Sequence, residues 1–215
     1  MNYKKLIVES GLRMAESGLT VSTFGNISVR DPETQLVYLT PSGMPYNTIG
    51  EEDIVVTDLF GNIVDGHRKP TVETPMHTAV FRAREDINAV VHTHALYSTV
   101  FAAKGEDIPM IIDEAAQLLC DVVRCTPKHE IPGSDALSDA AIAALGKKAM
   151  ACLLNSHGAL CVGRDMEGAF TSATILEMTA QILYMVEASH GKPCGIPDEE
   201  AQFMQDFVKN SYGQR

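Results

Sequence analysis

The chain has 215 residues, of which 45% are hydrophobic and 21% charged, the proportions of an ordinary globular protein rather than a disordered one. Its formal net charge of -11 disfavours non-specific binding to nucleic acid, so we expect no nucleic-acid partner. A chain of this length favours one domain over two, and we expect a single domain over residues 1–215.

No run of 18 or more consecutive apolar residues occurs, so no membrane span is predicted. Residues 1–18 alternate apolar and charged positions and lack the apolar core of a signal peptide. The cysteines are odd in number and form no C-x-x-C pair, which favours reduced thiols in a cytoplasmic protein. They are Cys120, Cys125, Cys152, Cys161 and Cys194.

The first third of the chain predicts one helix and two strand pairs. A helix is expected over residues 3–17, followed by strands over 27–30 and 36–40, and by a second pair over 53–59 and 62–64. Gly25-Asn26 and Ser42-Gly43 then lie at strand ends, where glycine lets backbone amides approach an anion. Each of these dipeptides taken alone is more often a plain turn.

Residues 73–94 carry the strongest chemical pattern. Thr74-Pro75 predicts a helix start with Thr74 as the N-cap, which leaves Glu73 in the preceding loop and free to swing. Residues 89–94 predict a strand, so His92 and His94 project from one face about 6 to 7 Å apart. Two imidazoles at that separation can bind one metal ion. An H-x-H pair alone often binds no metal, and a third ligand would decide between the two interpretations.

The second half alternates helices with short apolar runs. Helices are predicted over 95–103, 113–119, 134–150, 165–189 and 198–210, with a strand over 121–125. Two strand-like runs within 151–163 turn at Ser156-His157-Gly158. A histidine between two buried strands, flanked by a small residue and a glycine, is placed where a cluster can be reached.

Six short motifs follow one another in an order that resembles a known family. They are T-x-G-N-I-S from Thr23, T-P-S-G from Thr40, K-P-x-x-E from Lys69, V-V-H-T-H from Val90, S-H-G-A from Ser156 and Y-G-Q from Tyr212. Together they resemble the class II aldolase and adducin-head family, which includes L-fuculose-1-phosphate aldolase and L-ribulose-5-phosphate 4-epimerase. The resemblance covers essentially the whole chain.

The resemblance implies a fold, a metal and a set of site residues. The implied fold is α/β, in three layers with a central, mostly antiparallel sheet flanked by helices. Family members commonly form a homotetramer with each site at a subunit interface. The metal, usually zinc with Mn²⁺ or Co²⁺ as alternatives, would bind His92, His94 and His157. Glu73 would act as the acid or base and also cap the metal at rest, and Tyr212 would exchange a proton with the substrate. The implied phosphate site comprises Thr23, Gly25, Asn26, Ser42, Gly43, Thr71 and Val72.

Two departures from the family pattern concern the substrate. Thr71-Val72 stands where phosphate-binding members usually have two serines, so Val72 offers only its backbone amide. Arg68 or Lys69 could compensate, although exposed loop charges are usually solvated. Asp113-Glu114 stands where the fuculose-type aldolase has a tyrosine on the neighbouring subunit. This pair is either a replacement proton relay or a helix N-terminal charge pair.

The chemistry suits a lyase. Three neutral imidazoles leave open positions on Zn²⁺ for Lewis-acid work, and cleavage of a ketose between C3 and C4 needs a metal-stabilised enediolate. We therefore expect a ketose 1-phosphate aldolase that releases dihydroxyacetone phosphate and an aldehyde. The alternatives are a sugar-phosphate 4-epimerase, dehydratase or decarboxylase of the same family, or a non-catalytic adducin-like binding module. The four histidines left out of the site are His67, His77, His129 and His190.

Overall fold

A computed structural model of the protein describes residues 1–211. Within that range seven strands form one sheet in the order β4-β3-β2-β1-β5-β7-β6, and every pair of neighbours is antiparallel. The strands are Asn26–Arg30 (β1), Val37–Leu39 (β2), Val55–Thr57 (β3), Ile63–Asp65 (β4), Ala89–Thr93 (β5), Ala151–Leu154 (β6) and Gly158–Gly163 (β7).

Seven α-helices accompany this sheet in the described part of the chain. They are Tyr3–Glu16 (α1), Thr74–Ala83 (α2), Leu96–Lys104 (α3), Asp113–Leu118 (α4), Asp135–Leu145 (α5), Met166–Ala188 (α6) and Asp198–Asn210 (α7). Two short 3-10 helices lie between β2 and β3, at Tyr46–Thr48 and Glu51–Asp53.

The sheet separates two hydrophobic cores because successive strand residues face opposite sides. Ala89 and Val91 of β5 pack in the core that α1, α3, α4 and α6 share. Val90, between them, packs in the core beneath α2 and α5. The expected α/β fold, three layers with a mostly antiparallel sheet flanked by helices, is confirmed.

Helix α6 is long and apolar enough to cross a membrane by length and composition alone. Half of its most apolar 18-residue stretch is buried inside the protein. Phe170, Ala173 and Leu176 of this helix belong to the core that also contains β5 and β7. This packing is that of a core helix.

Two predicted elements differ from the structure. The strand expected over 121–125 is absent, and the segment makes two isolated bridges instead, Val123 with Ile108 and Cys125 with Leu153. The helix expected over 134–150 begins after the N-cap Ser134 but ends at Leu145. Gly146 stops it by adopting a φ of 54°, a left-handed conformation that glycine tolerates without a Cβ clash. The abundant alanine of residues 134–150 favours a longer helix when the sequence is considered alone.

Arg30, at the end of β1, holds α2 in place over the sheet. It is buried, and its guanidinium donates to the carbonyls of Phe81, Glu85 and Ile87 at 2.9, 2.7 and 2.7 Å. A further bond, 3.0 Å, runs from Nε to the Asn88 side chain. The last turn of α2 and the loop that enters β5 are therefore tied to one cation.

We expect Arg30→Met to lower the free energy of unfolding by about 2 to 4 kcal/mol, because three carbonyls, two of them buried, would lose a charged donor. Urea unfolding followed by circular dichroism measures this loss. Arg82→Met is the matched control, since Arg82 lies exposed on the same helix with one carbonyl partner, Leu59. Equal losses in the two variants would contradict the role given to Arg30.

Candidate active site

Three histidine rings meet at one end of the sheet. His92 belongs to β5, His94 follows the last residue of that strand, and His157 lies in the turn between β6 and β7. The ring centroids are 4.8, 4.8 and 5.1 Å apart, and one ring nitrogen from each lies within 4.8 Å of the others. The strand geometry predicted for His92 and His94 agrees with this arrangement, because both rings face the same side.

The backbone of the turn after His157 leaves no room for a side chain. A Cβ on Gly158 would lie 2.3 Å from the Thr93 carbonyl oxygen. Because β7 begins at this glycine and pairs with β5, the close approach brings the His157 turn against the end of the His92 strand. The glycine of the S-H-G-A motif is therefore required by packing.

His92 has a defined tautomer. Its Nδ1 lies 2.9 Å from the Ala159 carbonyl oxygen, which can only accept, so Nδ1 carries the hydrogen. Its Nε2 is then unprotonated and points toward the other rings, 3.0 Å from Nε2 of His94. A backbone carbonyl that orients a histidine in this way is a usual feature of metal sites.

Glu73 lies in the same cluster, and two details differ from the prediction. Glu73 itself is the N-cap of α2, and Thr74 is the first helical residue, because the Thr74 amide and hydroxyl both donate to the Thr71 carbonyl. The carboxylate is buried rather than free to swing. Its Oε2 accepts from Nδ2 of Asn26 at 2.8 Å and lies 3.1 Å from Nε2 of His92.

The cluster has the properties that a divalent cation requires. Burial lowers the pKa of His92, His94 and His157 to about 4 each, so all three imidazoles are neutral ligands at pH 7. Among the described residues, Glu73 Oε1 and His157 Nδ1 are buried with no hydrogen-bond partner. A buried carboxylate oxygen beside converging imidazole nitrogens fits a cation placed between them. The residues present therefore fit the metal that the sequence motifs imply.

A cavity of about 340 Å³ opens beside the cluster. Glu73, His94 and His157 line it, together with every residue predicted to bind phosphate: Thr23, Gly25, Asn26, Ser42, Gly43, Thr71 and Val72. Gly25 and Gly43 both have a φ of 70°. Within residues 1–211 the amides of Gly43 and Val72 have no hydrogen-bond partner, so both can donate to a ligand.

No lysine or arginine of the described chain lines this cavity. Arg68, a predicted compensating charge, donates instead to Oδ1 of the buried Asp53 at 2.7 Å. Backbone amides and hydroxyl groups are therefore the anion donors that the cavity offers. Asp113 and Glu114 lie exposed in the first turn of α4, where Asp113 lines a different cleft with α7. Tyr212 lies outside the described residues.

Known proteins are similar to this chain in both sequence and fold. The chain matches the model for the Class II Aldolase and Adducin N-terminal domain over residues 5–184. The chain belongs to this family. Over 211 residues it is 39% identical to 5-deoxy-D-ribulose 1-phosphate aldolase of Bacillus thuringiensis serovar kurstaki. The aligned region covers 97% of this chain and 96% of that protein.

Two further relatives carry fuculose in their names. L-fuculose phosphate aldolase of Methanococcus maripaludis is 32% identical over 168 residues, covering 77% of this chain and 87% of that protein. A solved L-fuculose 1-phosphate aldolase superposes with a TM-score of 0.91 at 35% identity, with 96% of each chain covered. The family expected from the motifs is thus confirmed.

Two residues beside this candidate site were missed by reasoning from sequence. His77 is buried in α2 and bonds to the Asn26 side chain, which in turn donates to Glu73. It therefore belongs to the hydrogen-bond network of Glu73, although reasoning from sequence left it out of the site. Tyr46 donates its hydroxyl hydrogen to the Gly25 carbonyl at 2.7 Å and lies 3.2 Å from that of Phe24, which supports the loop before β1. Burial, with the nearby Glu73 charge, raises the pKa of Tyr46. The four-residue spacing of Glu73 and His77 was the one available signal.

We expect His94→Ala to abolish binding of one zinc ion per chain, because the remaining ligands leave the site too open to hold it. Metal content after dialysis measures the effect. His190→Ala is the control, since His190 is an exposed histidine outside the cluster. Full zinc occupancy in the His94 variant would rule out this metal site.

The metal-free protein should lose stability as the pH falls from 6.5 toward 4. Burial lowers the pKa of His77 to about 3, so the unfolded chain binds a proton in this range that the folded chain does not. We expect His77→Gln to flatten the dependence by up to about 1.4 kcal/mol per pH unit, the value for one proton. Urea unfolding at several pH values tests this, with His190→Gln as the control, since His190 is exposed. An unchanged slope in the His77 variant would contradict the expectation.

Proposed function

We propose that this protein is a divalent-metal-dependent aldolase that cleaves a ketose 1-phosphate to dihydroxyacetone phosphate and an aldehyde. The observation that carries the proposal is one cavity beside three converging imidazoles, lined by a buried carboxylate and by loops with free backbone amides. A sugar phosphate has the matching parts, vicinal oxygens for a metal and a phosphate for amide donors.

The names of the relatives narrow the substrate class. One acts on 5-deoxy-D-ribulose 1-phosphate and others on L-fuculose phosphate. Cleavage between C3 and C4 of either sugar 1-phosphate releases dihydroxyacetone phosphate, with acetaldehyde from the first and lactaldehyde from the second. The common half of the substrate therefore comprises C1 to C3 and the phosphate. We assign this half to the metal cluster and to the amide donors of Gly43 and Val72.

We assign the metal to His92, His94 and His157, with Glu73 as a further ligand at rest, and zinc as the first choice. When bound, such a cation supplies Lewis acidity that stabilises negative charge developing on the substrate oxygens. Manganese and cobalt are the alternatives, because imidazole and carboxylate ligands accept them as well.

Glu73 is the group we propose to move a proton at C3. In the condensation direction its carboxylate removes the C3 proton of dihydroxyacetone phosphate, and the electron pair of that C–H bond forms the new bond to the aldehyde carbon. The aldehyde oxygen then takes up a proton and becomes the C4 hydroxyl. Cleavage is the reverse of these steps, and Tyr212 is our candidate for the exchange at the C4 oxygen.

We further propose a homotetramer in the cytoplasm with each site at a subunit interface. All five cysteines are free thiols, which suits a reducing compartment. Phe24 and Val72 line the cavity yet are 59% and 62% exposed. Apolar side chains of this size at the mouth of a site suit a covering by a second copy of the chain.

We expect Glu73→Gln to lower kcat for ketose 1-phosphate cleavage by at least about a thousandfold while one zinc ion per chain remains bound. An assay coupled to dihydroxyacetone phosphate reduction measures kcat, and metal analysis measures occupancy. Glu52→Gln is the control, because Glu52 is an exposed carboxylate outside the cavity. Near-normal turnover by the Glu73 variant would contradict the proposed role.

Substrate class is tested with a panel of ketose 1-phosphates and ketose 5-phosphates on the zinc-loaded protein. We expect turnover of 5-deoxy-D-ribulose 1-phosphate or L-fuculose 1-phosphate, loss of activity on chelation and recovery with zinc. Epimerisation of a 5-phosphate without cleavage would replace the aldolase proposal with the epimerase.

A further inference from the structure

We propose that His77 is a positioning residue that sets the orientation of Glu73 through the side-chain amide of Asn26. This inference rests on the proposed function, because it assigns a purpose to the Glu73 carboxylate. It adds a residue that the motifs and the metal cluster do not include.

A continuous chain of buried hydrogen bonds joins β1 to α2. Ser28 Oγ lies 2.6 Å from Nδ1 of His77, and Nε2 of His77 lies 2.5 Å from Oδ1 of Asn26. Asn26 Nδ2 then lies 2.8 Å from Oε2 of Glu73. Ser28 and His77 are fully buried, and Asn26 and Glu73 are 6% and 4% exposed. Little or no water can therefore substitute for a missing partner.

Secondary structure supplies the alignment. Asn26 and Ser28 are two residues apart on β1 and face the same side of the sheet. Glu73 and His77 are four residues apart at the start of α2, so they lie on one face of that helix. The two pairs meet where α2 crosses β1, and Arg30 at the end of β1 holds the far end of the helix.

The direction of each bond follows from the carboxylate. An ionised Glu73 oxygen can only accept, so the Asn26 amide nitrogen must face it and Asn26 Oδ1 must face His77. That oxygen also only accepts, so His77 carries its hydrogen on Nε2. Nδ1 of His77 is then an acceptor, and Ser28 is the hydroxyl that donates to it. His77 thereby defines which end of the amide meets Glu73.

The two carboxylate oxygens of Glu73 therefore have different surroundings. Oε2 is held by Asn26, whereas Oε1 is buried without a hydrogen-bond partner and lies 3.6 Å from Nε2 of His157. Without a donor at the His77 position, the Asn26 amide can rotate and present its oxygen to Glu73. Two acceptors would then face each other in a buried site, and the carboxylate would shift or take up a proton. The displaced carboxylate would slow proton transfer, so the loss of the donor should change kcat more than KM.

Two substitutions of His77 separate positioning from packing. The amide of glutamine reaches the place of Nε2 and can donate to Asn26, whereas the amide of asparagine reaches the place of Nδ1 and contacts Ser28 only. We expect His77→Asn to lower kcat by about 10- to 100-fold, and His77→Gln by less than about fivefold, at equal zinc content. Equal losses of kcat in the two variants would overturn the proposal.

A double-mutant cycle provides a second activity test. Because His77 acts through Asn26, adding His77→Asn to Asn26→Ala should lower kcat by less than about twofold further. Additive losses would overturn the proposal. Thr78→Val is the control for a generic loss of a buried polar group on α2, since Thr78 bonds only to helix carbonyls. It should change stability and leave kcat unchanged.

The deciding measurement does not depend on turnover or on metal. In the ¹H–¹⁵N spectrum of the histidine rings of the metal-free protein, the proton of His77 should sit on Nε2, assigned by its loss in His77→Gln. A proton on Nδ1 would overturn the proposal even if the protein is an aldolase. If the wild type cleaves no ketose phosphate, the proposed function fails, and the ring tautomer still decides the orientation of Asn26.

Discussion

Strand β5 lies between β1 and β7, and the register of these two pairings decides where the side chains of the site point. His92 is opposite Asn26 on one side and opposite Leu160 on the other. The first pairing places the amide that holds Glu73 next to the imidazole, and the second brings the His157 turn to the end of the strand. A shift of one residue in either register would turn these side chains to the other face of the sheet.

The site lowers the stability of the fold because its polar groups lose their contact with water when they are buried. Four histidines and a carboxylate lie in or beside the core beneath α2, and burial keeps each of these imidazoles neutral. Neutral imidazoles cost less to bury than imidazolium ions, and they are also the form that binds metal. The same desolvation thus serves folding and ligation. Glu73 is the exception, because it is a buried group that carries a charge. The Asn26 amide donates a hydrogen bond to one of its oxygens, and in our proposal the metal ion neutralises the charge.

The proposed phosphate site must bind an anion without the help of a basic side chain. The chain is acidic overall, and no basic side chain of the described residues lines the cavity. Left-handed glycines at Gly25 and Gly43 expose backbone amides there, and such dipoles bind anions well in a partly enclosed site. A substrate with a dianionic phosphate would therefore depend on loop geometry, which Tyr46 maintains by donating its hydroxyl hydrogen to the Gly25 carbonyl.

Local pattern determined much of this protein. Alternation along 89–94 was enough to place His92 and His94 on one face, and ordered motifs were enough to indicate the family and its three-layer fold. Element ends were less accurate, as at Gly146 and Thr74, because they depend on a single hydrogen bond or one left-handed residue. Only the tertiary structure decided that Arg68 pairs with Asp53 and that His77 belongs with Glu73. The bonds of His77 to Ser28 and Asn26 join residues 49 and 51 positions apart, and they exist only because α2 crosses β1 at one register.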